Sequence, residues 1–328
     1  MTSREIIRRV IEFDRPPRIG LTLPEPYGND IMGCVPDPPP GWTPPEHAPL
    51  GNERWRREDE WGNVWASLTD YDKGEVVQGA IADWSQLDGY RPPDLGDARR
   101  YERAARAFAA ESDKYRIGHL PGFVFNVARY IRKLENYLCD LVLERAAIDR
   151  LHALVREQLL AAIERFAEAG ADAVMFPEDW GTQDRLMIAP AMWREIFKPE
   201  FATLCAAARR RGLAVFMHSC GKITDIIPDL IETGINVLQF DQPQLHGIDR
   251  LSPFAGRVTF WCPVDIQRTL QTRDPALIRA EARELVTRLG GRGGGFIAGY
   301  YGSNQAIGLT PDVQDHACRA FVECGTYQ

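Results

Sequence analysis

The chain has 328 residues and a formal net charge of −7, and 45% of its residues are hydrophobic. That length and apolar content support one large α/β domain with a full core, or two small ones. The mild acidic balance carries no basic stripe, which sets nucleic acid aside, and no apolar run nears the roughly 18 residues a membrane span needs. The opening stretch MTSREIIRRVIEFDRPP lacks the apolar segment of a signal peptide. The seven cysteines are odd in number and scattered, the pattern of free thiols in a reducing cytoplasm, so a cytoplasmic protein is expected.

In chain order, residues 2–13 are predicted as a short helix and RIGLTL (18–23) as a first strand. Residues 24–58 are rich in proline (PEPYGND, VPDPPPGWTPPEHAP) and are expected to be irregular. EWGNVWASL and GEVVQGAI, joined by TDYDK, are predicted to form a hairpin, and 97–111 a helix. KYRIGHLP reads as a strand, 127–138 as a helix and 144–170 as a long amphipathic helix ended by Gly170. Strands then alternate with helices. The strands are ADAVMFPED, LAVFMHSCG, NVLQFDQPQ, VTFWCPVD and GFIAGYYGS, and the helices lie near 191–211, 222–234, 275–290 and 312–323. Each strand is a short apolar run, as when both faces are covered, so a parallel sheet with right-handed crossovers follows. No G-x-G-x-x-G opens a helix after the first strand, which removes the main support for a dinucleotide-binding sheet. A single (β/α)8 barrel over 1–328 fits best, with 24–90 as an excursion after the first strand that caps the barrel mouth. Trp42, Trp55, Trp61, Trp65 and Trp84 fall in that excursion. They read first as its own small core, with the wall of a slot for a flat ligand as the alternative.

Barrel active sites sit at the C-terminal strand ends. Here those ends offer Glu178 and Asp179, then His218 and Cys220, then Asp241, Gln242 and Gln244, then Cys262 and Asp265, and last Tyr300, Tyr301 and Asn304. His218 and Cys220, two apart, share a strand face, so both can reach one ion; imidazole plus thiolate is a zinc-type donor pair. The plainer reading is a buried histidine bonded to backbone beside a cysteine that packs as a small apolar group. A third ligand is needed, and Cys262 and Glu178 are the candidates. Core packing competes for Cys262, and helix capping for the acidic pair.

The stretches EDWGTQDRLMIAPAMWREIFKPEF, VFMHSCGKITDIIPDLIETGINVLQFDQPQ, FWCPVDIQRTL and GGRGGGFIA resemble the uroporphyrinogen decarboxylase-like superfamily, which includes the corrinoid-dependent methyltransferases. The resemblance spans about residues 55 to 325. True decarboxylases carry an arginine-rich R-Q-A-G-R-Y segment near the first strand. The corresponding LTLPEPYGNDIMG has no arginine, which argues against porphyrinogen decarboxylation. The methyltransferase branch has the H-x-C pair, matched by His218 and Cys220, and usually a further cysteine at the last strand. GYYGSNQ has none there, which leaves Cys262, Glu178 or a group of GYYGSNQ as substitute.

The resemblance implies Zn2+ at the mouth, held by His218, Cys220 and Cys262 (or Glu178). It implies methyl transfer between a small thiol, methoxy or methylamine compound and a corrinoid (cobalamin) carried by a partner protein. On this reading Glu178, Asp179, Asp241 and Tyr300 serve catalysis, and Gln242, Gln244, Asp265, Tyr301 and Asn304 bind substrate or cofactor. Two alternatives stand beside it. One is a metal-free carboxy-lyase in which Asp179 or Asp241 stabilises a protonated intermediate; the other is a non-catalytic tetrapyrrole-binding protein. Oligomeric state is open, a homodimer included.

Overall fold

The computed structural model describes residues 1–291 and 293–326. The first helix, Ser3–Glu12, follows from its sequence: the Thr2 hydroxyl accepts from the Glu5 amide as N-cap, and Ile6, Ile7, Val10 and Ile11 make one buried face. That face closes the N-terminal end of a barrel by packing on Ile31, Tyr115, Ala173, Phe216, Val237 and Ile297.

Among the described residues there are eleven strands: β1 (Gly20–Leu21), β2 (Ile31–Cys34), β3 (Trp55–Glu58), β4 (Val64–Ser67), β5 (Glu75–Gln78), β6 (Tyr115–His119), β7 (Ala173–Pro177), β8 (Ala214–His218), β9 (Val237–Gln239), β10 (Thr259–Cys262) and β11 (Phe296–Ala298). Eight of them form one sheet in the order β1-β11-β10-β9-β8-β7-β6-β2, and all seven pairings are parallel. This is the expected (β/α)8 barrel. The seam between β1 and β2 is bridged by Asp30. Its amide donates to the Leu21 carbonyl at 2.8 Å, and its carboxylate accepts the Leu21 amide at 2.9 Å. Arg18 (2.6 and 2.8 Å) and the Ser3 hydroxyl (2.6 Å) hold the same carboxylate.

Three expectations are corrected here. The proline-rich region is not wholly irregular, because it contains β2, a barrel strand paired with β6 from Ile31↔Tyr115 to Cys34↔Gly118. IMGC ends just before the first proline of VPDPPP, so nothing forbids the ladder there. The helix expected at 127–138 is two helices, Val124–Arg132 and Leu134–Leu143, broken at Lys133 with φ 66°. The segment expected at 191–211 likewise divides into Pro190–Ile196 and Lys198–Arg210.

The expected hairpin is β4 and β5, with β3 added on the other side of β4 as an antiparallel sheet. It packs on helix Val124–Arg132. The rings of Trp65 and Tyr130 lie 4.7 Å apart, Lys73 Nζ donates to the Tyr130 hydroxyl at 2.8 Å, and Ile81 N donates to Ile131 O at 2.9 Å. Trp61 and Trp65 are buried, whereas Trp42, Trp55 and Trp84 are half-buried. Trp61, Ile81 and Leu87 belong to the main core, with Trp84 packed against it, so the excursion packs on the barrel's core instead of forming the small core of its own that was expected. No helix among the described residues is long and apolar enough to cross a membrane. All seven cysteines are free.

Asp30 makes the seam a clear mutational target. Asp30→Ala strands the Leu21 amide and the Arg18 guanidinium, at a cost of about 3 kcal/mol. We expect a lower urea midpoint, partly restored in Asp30→Asn; an unchanged midpoint in Asp30→Ala would show that the seam needs no bridge.

Candidate metal centre

Alternation at the end of β7 sorts three consecutive side chains. Glu178 is fully buried. Its carboxylate accepts the Phe125 amide at 3.1 Å and the Asn126 amide at 2.7 Å, satisfying the second and third amides of helix Val124–Arg132, which has no side-chain cap of its own. Burial pushes its carboxyl upward, against the pull of those amides and of Arg129. Trp180 is fully buried as well, stacked on Phe125 at 3.8 Å and edge-on to Phe197 at 4.5 Å. Asp179, between them, reaches the mouth.

The loop after β8 is fastened to this one. Glu178 N donates to His218 O at 2.8 Å and Lys222 N to Thr182 O at 2.8 Å. Cys220 N donates to Asp179 Oδ1 at 2.9 Å. The closest approach is glycine to glycine: a Cβ on Gly221, which has φ +74°, would stand 2.0 Å from the Gly181 carbonyl oxygen. The result is a cluster of one carboxylate, one imidazole and one thiol whose ligand atoms all lie within 4.8 Å of one another, from Asp179, His218 and Cys220. His218 Nε2 is 3.3 Å from Cys220 Sγ and 3.6 Å from Asp179 Oδ1.

Orientation comes from behind. Gln239 Nε2 donates to Asp241 Oδ1 at 2.8 Å. Because a carboxylate only accepts, this turns the Gln239 Oε1 toward His218 Nδ1. Nδ1 thus carries the hydrogen, and the Nε2 lone pair is left for a ligand at the mouth. Burial disfavours a charged His218. The bond to the Cys220 sulfur and the fields of Asp241, Cys220 and Asp179 outweigh that and raise the imidazole to about 10. The cluster attracts positive charge.

The remaining expected residues divide. Cys262 is not in the cluster; it is fully buried in the main core, and burial pushes its thiol far up. Glu178 is not in it either, being occupied by the helix amides. Asp179 stands where Cys262 or Glu178 was expected. Asp265 is 1% exposed, and its carboxylate accepts the amides of Gln244, Gln267 and Arg268 at 3.1, 2.9 and 2.8 Å, so it ties loops together. Gln244 enters that tie through its own amide. Burial first, then the fields of Asp241 and Cys220, raise the Tyr301 phenol. Gln314 holds the Tyr301 backbone at both N (3.0 Å) and O (2.9 Å). Asn304 donates to the Tyr300 hydroxyl at 2.7 Å and accepts from Gln314 at 2.8 Å. The Gln242 Oε1 is buried with no partner among the described residues, beside a narrow cleft of about 10 Å3 that Cys220, Asp241 and His246 also line. A larger cavity, about 590 Å3, lies at the opposite end beside Arg4, Glu5 and Asp172, where ion pairs already satisfy those charges.

Three residues near the site escaped the sequence reading. Gln239 ends β9, two residues before Asp241, so its place at the mouth was legible. His119 ends β6 as His218 ends β8, and Gly33 makes room for it, since a Cβ there would stand 2.3 Å from His119 Nε2. Arg129 lies on a helix, where no strand-end rule applies.

Comparison with known proteins bears on this geometry. The family model described as uroporphyrinogen decarboxylase (URO-D) matches residues 71–326. No curated protein matches the sequence. Among solved structures, a methyltransferase from Methanosarcina mazei has a TM-score of 0.54 at 17% identity, covering 80% of this chain and 73% of its own. A D-psicose 3-epimerase has a TM-score of 0.43 at 11% identity, covering 74% of this chain and 88% of its own. The family match takes in both fastened loops and every barrel strand from β6 onward, and the chain belongs to the uroporphyrinogen decarboxylase (URO-D) family.

Proposed function

We propose that the protein is a zinc-dependent methyltransferase, moving a methyl group between a small thiol, methoxy or methylamine compound and a corrinoid held by a partner protein. The observation that carries this is the Asp179–His218–Cys220 cluster with Cys220 exposed. A nitrogen, sulfur and oxygen donor set with three protein ligands suits catalytic zinc, which leaves one position for substrate. When bound, zinc supplies Lewis acidity toward the substrate heteroatom. Gln239 and Asp241 fix the imidazole, and the Cys220 amide fixes Asp179. An exposed Cys220 suits a reaction whose second partner is a macrocycle on another protein. We propose further that the excursion, residues 24–90, caps the mouth, its body being the part after β2.

A decarboxylase of the porphyrinogen kind needs cations to grip substrate carboxylates. The cation nearest the first strand, Arg18, is bound to Asp30 at the seam and is not free for that task.

Three measurements test these readings. Elemental analysis should find about one zinc per chain, lost largely in Asp179→Ala, His218→Ala and Cys220→Ala and kept in Cys262→Ser and Glu178→Gln. Gly221→Ala should also lose zinc by parting the two loops, although it removes no ligand. Full zinc in all three ligand variants would refute the centre. Zinc-loaded protein should demethylate methylcobalamin with thiols, or methylate reduced cobalamin from methoxy or methylamine donors, seen as a change in the cobalamin spectrum. No turnover across the panel sinks the methyltransferase reading, and carboxyl loss from a zinc-free preparation would replace it with a lyase. Proteolysis within residues 35–60 should slow when cobalamin and substrate are added; equal cleavage with and without them excludes a cap.

A further inference from the structure

Three arginines in the described residues combine deep burial with a place near or under the excursion. Arg100 spends all its nitrogens: Nε on Asp37 O at 2.7 Å, Nη1 on Asp94 O at 2.9 Å, Nη2 on Glu60 at 2.6 and 2.8 Å. Arg132 gives Nε to Asp140 at 2.7 Å and Nη1 to the carbonyls of Ile81 and Ala82. Arg129 differs. It is 9% exposed. Its Nε is buried with no partner, and no bond from Nη1 is found among the described residues. Nη2 alone makes polar contacts, with the Tyr130 hydroxyl at 3.2 Å and Asp179 Oδ2 at a long 3.5 Å. Its guanidinium lies over the rings of Phe125 and Tyr130 at 5.2 and 4.9 Å, so it cannot turn away from the mouth without leaving them.

A buried guanidinium with most donors unspent carries an unmet demand for an acceptor. Asp179 does not meet it, since Oδ1 is taken by the Cys220 amide and Oδ2 stands at the limit of bonding distance. We propose that Arg129 binds a carboxylate on the methyl substrate itself. This rests on the reading of Asp179, His218 and Cys220 as the place of the methyl-bearing atom. A carboxylate matches the planar fork of an arginine. A phosphate dianion fits less well, because the carboxylate of Asp179 flanks the same spot and would repel the second charge. Asp179 touches both Arg129 and Cys220, so the bound anion lies within a few atoms of the donor set. The substrate class is therefore a short carboxylic acid bearing its methyl on an oxygen, sulfur or nitrogen close to the carboxylate. The competing role for Arg129 is purely electrostatic, as counter-charge to Glu178 and Asp179.

Binding of methoxyacetate and of its neutral isostere methoxyacetamide to the zinc-loaded protein, read by titration calorimetry, separates the two. Methoxyacetate should bind about tenfold or more tighter than the amide, a charge-assisted contact being worth that much. Arg129→Gln should abolish the preference, and Arg129→Lys should keep part of it, with zinc content and unfolding midpoint unchanged in Arg129→Lys. Equal affinity for acid and amide in the wild type, no detectable binding of methoxyacetate, or a preference that survives Arg129→Gln overturns the assignment. The readout is binding, so it stands or falls separately from methyl transfer to cobalamin.

Discussion

The site depends on one contact, the backbone of the E-D-W-G turn laid against the backbone of the H-S-C-G turn. Two glycines make it feasible, because any side chain at Gly181 or Gly221 would occupy the space of the opposite strand's atoms. Once the turns touch, the Cys220 amide points at Asp179, and three donors from two loops come within coordinating distance. None of the three is held by its own element alone. Asp179 is placed because Glu178 is pinned behind it by helix amides and Trp180 is pinned beyond it by Phe125 and Phe197. A residue between two fixed neighbours has little freedom left, which is the preorganisation a metal or substrate site requires.

The rest of the barrel serves to hold those turns at one height. The first helix fills the lower end with isoleucine and valine, so the packed layers above it have a floor. The seam is the weakest edge, since β1 has two residues and no direct ladder to β2. Asp30 substitutes a carboxylate for a strand's carbonyl and brings its own counter-charge, Arg18. A buried carboxylate without such partners would carry a large desolvation cost. The same logic recurs at Glu178, where backbone amides of a helix start take the place of a cation.

Much of this was legible in the sequence, and the failures have physical causes. The five strands from β7 to β11 were readable because each is an apolar run closed by polar residues and entered through a helix ending in glycine. β2 was hidden because proline density was taken to govern the whole segment, although Ile31–Cys34 holds no proline and lies between Pro26 and Pro36. The H-x-C pair was read as sharing a strand face; the strand ends at His218 and Cys220 lies in the turn beyond it, yet its sulfur stands 3.3 Å from His218 Nε2. The third donor was not legible, because the choice among Glu178, Asp179 and Cys262 depends on which way consecutive side chains point after a strand ends, and that is set by Trp180 and a helix 50 residues earlier in the chain. Cys262 points into the main core, a fact invisible without the register of β10 on β9 and β11. Arg129 gave no signal at all, since an arginine on an amphipathic helix is ordinarily a solvated one.

The electrostatics of the mouth tie these pieces together. Asp179, Asp241 and the Cys220 thiol converge on one imidazole, and together they favour a proton on His218 in the bare chain. A divalent cation satisfies the same demand while freeing the imidazole to act as a neutral ligand, so proton and metal compete for a single lone pair. Arg129 stands just outside that contest, close enough to offset the acids and insufficiently bonded to be consumed by them. On the proposed reading, a cation bound by Asp179, His218 and Cys220 and the Arg129 guanidinium would be two positive centres at one mouth, the first suited to a methyl-bearing heteroatom and the second to a planar anion. A ligand presenting both groups a short distance apart is the species that satisfies the two centres at once, and the geometry of the turns determines how far apart those groups can be.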